Sequence, residues 1–288
     1  MRRWIRISIV GMTMMLVASV AASASAGPDL VPGNPAYLAL GDSWAYGQGA
    51  SSPATGGYVA RLAEDLTQSL DCLPAESNMA ADGCEHLQVL NLARPARDGL
   101  PGVTAPLVRS EQLPLSVALL AERNGDSNPR DDVEAVTLHV GGNDVSGPIQ
   151  AACLGGFTPE CQYTWFTEMA TFEADLRSVV GPLRAAAGAD TPIVLGTYDN
   201  PVPYCWLGAT YGAPAVGLGA MILEGTPDGS LDGIHDVVRR VAADYDADVA
   251  EVFGRLGPGD FVGGSDCLHM TDTGHVKVAA IFAEILES

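Results

Sequence analysis

Lysine is almost missing from this 288-residue chain: Lys277 is the only one, and 15 basic residues stand against 35 acidic ones. A formal charge of −20 at pH 7 argues against nucleic acid or an anionic membrane as a standing partner, because both need basic patches. No Cys-x-x-Cys or His-x-x-x-His spacing occurs, so the common zinc sites have no ligands. The glycine-rich phosphate loop and the dinucleotide fingerprint are missing too, which excludes those two kinds of nucleotide chemistry. There are no internal repeats. Past the amino-terminal leader no apolar run is long enough to span a bilayer.

The amino end carries an address. Arg2, Arg3 and Arg6 precede an apolar stretch from Ile7 to Val20, and Ala24-Ser25-Ala26 supplies an Ala-x-Ala cleavage site. This pattern predicts a secretory signal peptide over residues 1–26 rather than a membrane anchor. No cysteine stands at the cut, so no lipid attachment is expected. The mature chain then begins at Gly27, runs 262 of the 288 residues and, without the three leader arginines, carries −23. That length is read as a single domain, residues 27–288.

Six cysteines behind a signal peptide favour disulfides over free thiols. Of the 15 pairings that six cysteines allow, spacing favours two close pairs, Cys72 with Cys84 and Cys153 with Cys161. Cys205 and Cys267 are left for each other.

Apolar runs and punctuation suggest an alternation of strands and helices. Tyr37-Leu38-Ala39-Leu40 is a buried strand that breaks at Gly41-Asp42-Ser43. An amphipathic helix opens at Tyr58, with Val59, Leu62, Ala63, Leu66 and Leu70 at three- and four-residue steps. Leu87–Leu92 is a second strand, Leu107–Leu120 a helix and Ala135–Val140 a third strand ending at Gly141-Gly142. A helix fits Trp165–Ala187, with a kink or restart expected at Gly181-Pro182. Pro192–Thr197 is a fourth strand, and Tyr198–Gly229 is loop-rich. Ile234–Tyr245 is helical, Asp248–Phe253 a fifth strand and Thr271–Leu286 the closing helix. Such alternation implies a three-layer α/β domain on a five-stranded parallel sheet.

Three chemical groups then fall at strand ends, and parallel strands gather their carboxyl ends at one edge. Ser43 follows the first strand, Asn143 the third, and Asp266-Cys267-Leu268-His269 the fifth. A serine hydroxyl needs a base to take its proton. A histidine can be that base if an aspartate fixes its other ring nitrogen, and a spacing of three lets Asp266 reach His269. Asn143 can offer an amide N–H to the oxyanion of a tetrahedral intermediate. Each has a plainer alternative: Gly-Asp-Ser and Asn143 as turn formers, His269 as a loop residue, Asp266 as a helix cap. His275 is a rival base, but it lies within the closing helix and reads as structural. His86, His139 and His235 lack a strand-end position with an acidic partner.

These residues resemble the blocks of the GDSL/SGNH hydrolase family of serine esterases and lipases. Gly41-Asp42-Ser43 with Tyr46-Gly47 is similar to the first block, with Trp44 in place of a Leu or Tyr. Gly141-Gly142-Asn143-Asp144 resembles the third, and Asp266-Cys267-Leu268-His269 with Gly274-His275 the fifth. The resemblance implies a flavodoxin-like strand order, 2-1-3-4-5, and Ser43, His269 and Asp266 as a triad. It makes Asp42 a structural hydrogen-bonding residue and places the oxyanion donors on Ser43, Asn143 and a second-block glycine. The second block departs from the family pattern. Gly102 suits it best, because a backbone turned toward a ligand favours glycine, with Gly99 and Ala96 as alternatives. No Gly-x-Ser-x-Gly elbow occurs, so a typical α/β-hydrolase is disfavoured.

The resulting expectation is a secreted, extracellular, cofactor-free and metal-free esterase or lipase. Its partner is a small-molecule or lipid ester, without nucleic acid or stable membrane insertion, and its chain is a monomer. A carbohydrate O-deacetylase of the same family, and a secreted binding protein on a decayed hydrolase fold, are the alternatives.

Overall fold

The computed structural model describes residues 33–69, 87–95 and 102–288. The expected leader at 1–26, the expected Cys72–Cys84 pair, His86, Ala96 and Gly99 lie outside the described residues.

Five parallel strands form the sheet: β1 (Ala36–Gly41), β2 (Gln88–Asn91), β3 (Val133–His139), β4 (Ile193–Gly196) and β5 (Asp248–Ala250), in the order β2-β1-β3-β4-β5. This is the flavodoxin-like order. Every residue of β1 is buried, as a strand covered on both faces requires. Leu38 lies beside Leu90 on one side and Val136 on the other, and Gly41 pairs with His139. The five strands thus end together, and the turns that follow them share one edge of the sheet.

The helices, in chain order, begin with the short α1 (Ser43–Tyr46), α2 (Pro53–Gly56) and the amphipathic α3 (Tyr58–Ser69). Then come α4 (Ala105–Leu107), a π-helical segment at Val108–Gln112 and α5 (Leu113–Arg123), which form one helical stretch. Next follow α6 (Gly142–Cys153), α7 (Pro159–Ala187), α8 (Trp206–Tyr211), α9 (Ala213–Glu224), α10 (Ile234–Asp244) and α11 (Asp272–Leu286). Helices α3 and α11 pack together, and α7 packs on both α5 and α10. With right-handed crossovers, this strand order puts the first pair on one face of the sheet and the second set on the other. An antiparallel hairpin, β6 (Phe261–Gly263) and β7 (Asp266–Met270), lies between β5 and α11.

Four sequence expectations need correction. Helix α7 runs unbroken through Pro182, because Val179, Val180 and Leu183 around it are fully buried and their packing outweighs one lost backbone hydrogen bond. The Tyr198–Gly229 segment is not loop-rich: it holds α8 and α9. Helix α6 was not anticipated, since Gly147 and Pro148 interrupt its pattern. The fifth strand stops at Ala250, short of the expected Phe253, and Asp266–His269 follows it on β7 of the hairpin, before the closing helix as read.

Two disulfides are present among the described residues, Cys153–Cys161 and Cys205–Cys267, matching two of the three expected pairs. The first staples the α6–α7 corner. The second ties the segment after β4 to β7, between Asp266 and His269. Among the described residues no helix is long and apolar enough to cross a membrane.

Candidate active site

The tight turn after β1 brings Ser43 to the sheet edge. Gly41 has φ +140, and a Cβ there would strike the carbonyl oxygen of His139, so only glycine lets the chain leave the strand at this angle. The side chain of Gln112 pins the turn from the neighbouring helix, accepting from Gly41 N–H at 2.8 Å and donating to Gly41 C=O at 2.9 Å. Asp42 is the N-cap of α1 and accepts from Trp44 N–H at 2.9 Å. Its other carboxylate oxygen accepts from the Tyr198 hydroxyl at 2.6 Å. Burial pushes Asp42 up to about 6, against the lowering effect of these hydrogen bonds. It is a buried hydrogen-bonding residue, as expected.

The hairpin delivers the histidine. His269 Nε2 lies 2.9 Å from Ser43 Oγ, and Nδ1 lies 2.8 Å from Asp266 Oδ2. An ionised carboxylate can only accept, so Nδ1 carries the proton and Nε2 is free to accept from the serine hydroxyl. Asp266 Oδ1 accepts from the N–H groups of Leu268 and His269 at 2.9 and 3.0 Å. Partial burial acts to raise the Asp266 carboxyl, but these bonds and His269 outweigh it and hold the carboxyl below the usual range. Trp44 locks the hairpin onto the Ser43 turn: its Nε1–H donates to Leu268 C=O at 2.9 Å. Its ring packs edge-on against those of His139 and Tyr198.

Asn143 opens α6 at the end of β3. Its Nδ2 donates to Val103 C=O at 3.0 Å, which uses one of two amide hydrogens. Gly102 packs directly on the Asn143 carboxamide, and any Cβ at residue 102 would collide with it. Asp144 completes the clamp by accepting from Ala105 N–H at 2.9 Å. The third-block turn therefore holds the Gly102–Ala105 segment through two bonds.

The second oxygen of Asp144 is buried without a hydrogen-bond partner, and burial pushes the group up to about 7. A folded-state value above the unfolded 3.8 means that Asp144 contributes stability below that value, lost as pH rises through about 7. Asp144→Asn keeps an acceptor for Ala105 and removes the ionisation. Its melting temperature should exceed the wild type's by a few degrees at pH 8, with the gap closing toward pH 5; thermal melts across that range check this.

A cavity of about 700 Å³ opens beside Ser43 and Asn143. One wall is the α6 face Asn143, Ser146, Gly147 and Gln150; the other carries Gly219, Ile222 and Leu223 of α9. Trp206 and Leu268 stand at its edge, both half-exposed.

His275 is buried in α11, accepting from Tyr58 N–H at 3.3 Å, in line with its structural reading. His139 is buried among aromatic rings, and burial lowers it to about 3. His235 lies in α10 rather than at a strand end, as read, and its acidic partner is Glu224, which reaches it from α9. The roles of Trp44, Gln112 and Tyr198 are not legible in the sequence, where Trp44 shows only as a departure from the first block.

The model of the GDSL-like lipase/acylhydrolase family matches residues 39–277. The chain belongs to this family. No curated protein sequence matches it. Among solved structures it is similar to an extracellular lipase from Streptomyces rimosus, at 17% identity and a TM-score of 0.53, covering 87% of this chain and 99% of that one. A lipase from a goat rumen metagenome aligns at 15% identity and a TM-score of 0.53, over 87% and 97% of the two chains. A catalytic mutant of an acetylxylan esterase from Geobacillus stearothermophilus gives 16%, 0.52, 90% and 96%. At such identities these likenesses speak for the fold alone.

Proposed function

We propose that this family member is a secreted serine esterase that hydrolyses carboxylic esters through an acyl-enzyme. The reading is carried by the aligned contacts Asp266–His269–Ser43, at 2.8 and 2.9 Å. Ser43 Oγ attacks the ester carbonyl as His269 Nε2 takes its proton. Asp266 holds the tautomer and stabilises the imidazolium. The oxyanion is received by the Ser43 N–H, the free Asn143 amide hydrogen and the Gly102 N–H. His269 returns its proton to the leaving alcohol, and water repeats the sequence to release the acid. The leader at 1–26 and the two disulfides support an extracellular setting.

The α9 wall, with Ile222 and Leu223, favours an apolar acyl group, so a lipase-like substrate leads. The α6 wall is more polar, with Ser146 and Gln150, and favours the second reading, a carbohydrate O-deacetylase. A series of p-nitrophenyl esters from acetyl to palmitoyl, set beside acetylated xylan, separates them. Rising kcat/KM beyond butyryl supports the acyl slot; activity confined to acetyl esters and the polysaccharide supports the deacetylase. Asn143→Ala should lower kcat by about a hundredfold or more with little change in KM, because the full negative charge exists only in the transition state. Steady-state kinetics on the best ester checks it, and an unchanged kcat reduces Asn143 to a turn residue.

A further inference from the structure

Tyr198 leaves β4 and is buried between the two turns that carry Ser43 and Asn143. Its hydroxyl donates to Asp42, the cap of the Ser43 turn, at 2.6 Å. On the other side its ring lies against Gly142, where an added Cβ would sit 3.5 Å from Cζ and 3.8 Å from the hydroxyl oxygen. One phenol therefore touches both turns.

The backbone of Tyr198 is itself held. Its N–H donates to His235 Nε2 at 3.0 Å, so that nitrogen must be unprotonated and Nδ1 must carry the hydrogen. Nδ1 faces Glu224 Oε1 at 2.5 Å. His235 is fully buried, and Arg239 joins Glu224 to Glu251. His235 and Glu224 look like a second His–carboxylate dyad, but the position a substrate would need is taken by a backbone N–H. They can orient; they cannot do acid–base work. Glu224 is the last residue of α9, whose Ile222 and Leu223 form the cavity wall.

The geometry points to Tyr198 as a positioning residue that sets the Ser43 and Asn143 turns relative to each other, with His235–Glu224 linking that setting to the cavity-wall helix. This rests on the esterase reading above. The hydroxyl fixes Asp42, Asp42 fixes the first turn of α1, and the Ser43 N–H is aimed by that turn. The same ring backs Gly142, from which Asn143 projects. Donors that converge on one oxyanion tolerate little displacement, since a misplacement of about 1 Å can cost on the order of a hundredfold in rate.

The test compares Tyr198→Phe, His235→Gln and His235→Leu with the wild type in kcat, KM, rate of fluorophosphonate labelling and melting temperature. Tyr198→Phe keeps the ring and should lower kcat about 10- to 100-fold with KM changed less than about threefold, and labelling should slow in parallel. His235→Gln retains an acceptor for the Tyr198 N–H and should keep kcat at least several-fold above that of His235→Leu. The histidine variants report the link even if Tyr198→Phe folds poorly. Wild-type kcat and labelling in Tyr198→Phe, or equal kcat in the two folded His235 variants, overturns the positioning role while ester hydrolysis by the wild type stands. A folded wild type that neither hydrolyses esters nor labels overturns the parent reading, and this one with it.

Discussion

Replacing Ser43 with alanine should lower kcat by about a millionfold, the scale found when the nucleophile of a serine triad is removed. The expectation follows from the hydroxyl's position 2.9 Å from the only ring nitrogen of His269 left free by Asp266. Without the oxygen no acyl-enzyme forms, and His269 has no proton to accept. What survives is binding and the oxyanion donors acting on a water molecule. Stability should change little, by about 1 kcal/mol, because one hydrogen bond is lost and a methyl group fits where Ser43 is buried. Activity with any ester measured beside a thermal melt separates the two effects. A folded Ser43→Ala protein with activity near that of the wild type would sink the mechanism.

Removing the Cys205–Cys267 bond should have the largest effect on stability and a second effect on rate. It joins residues 62 apart in sequence, so releasing that loop in the unfolded chain should cost about 4 kcal/mol on the chain-entropy argument. For a domain of this size that corresponds to a fall of about 10 °C in melting temperature. The bond also anchors β7 between Asp266 and His269, and its loss lets His269 drift from Ser43. The Cys205→Ser/Cys267→Ser double variant should therefore lose about tenfold or more in kcat at temperatures where it remains folded. Cys153–Cys161 closes a separation of only 8 at the α6–α7 corner, and its removal should lower the melting temperature without changing kcat. Equal kcat in the two double variants would show that the tether has no part in catalysis.

Much of this architecture was legible because parallel strands covered on both faces read as unbroken apolar runs. Tyr37–Leu40 and Ile193–Leu195 are such runs, Ala135–Val140 is one interrupted by Thr137 and His139, and β1, β3 and β4 lie where those runs do. Ser43 and Asn143 could be proposed together because groups at the ends of parallel strands share an edge, whereas Asp266 and His269, read as following the fifth strand, reach that edge on the β6–β7 hairpin. The helices that shape the cavity were harder. Gly142, Gly147 and Pro148 disguise α6, and Gly217 and Gly219 weaken the pattern of α9, although small residues suit a wall that must leave room for a ligand.

The supporting bonds were least legible of all. Trp44 meets Leu268 across 224 positions, Tyr198 meets Asp42 across 156, and Gln112 meets Gly41 across 71. No local periodicity encodes such pairs, because each depends on how whole elements pack. Pro182 failed as a helix breaker for the same reason: buried neighbours on α7 decide the matter, not the propensity of one residue.

The nucleophile is the claim on which the rest depends, and covalent labelling reaches it most directly. The intact protein is treated with a fluorophosphonate ester, digested and mapped by mass spectrometry. One adduct per chain on the peptide containing Ser43, formed in step with loss of esterase activity and missing from Ser43→Ala, is the predicted result. An adduct on a different residue, or complete loss of activity with Ser43 unmodified, would contradict it.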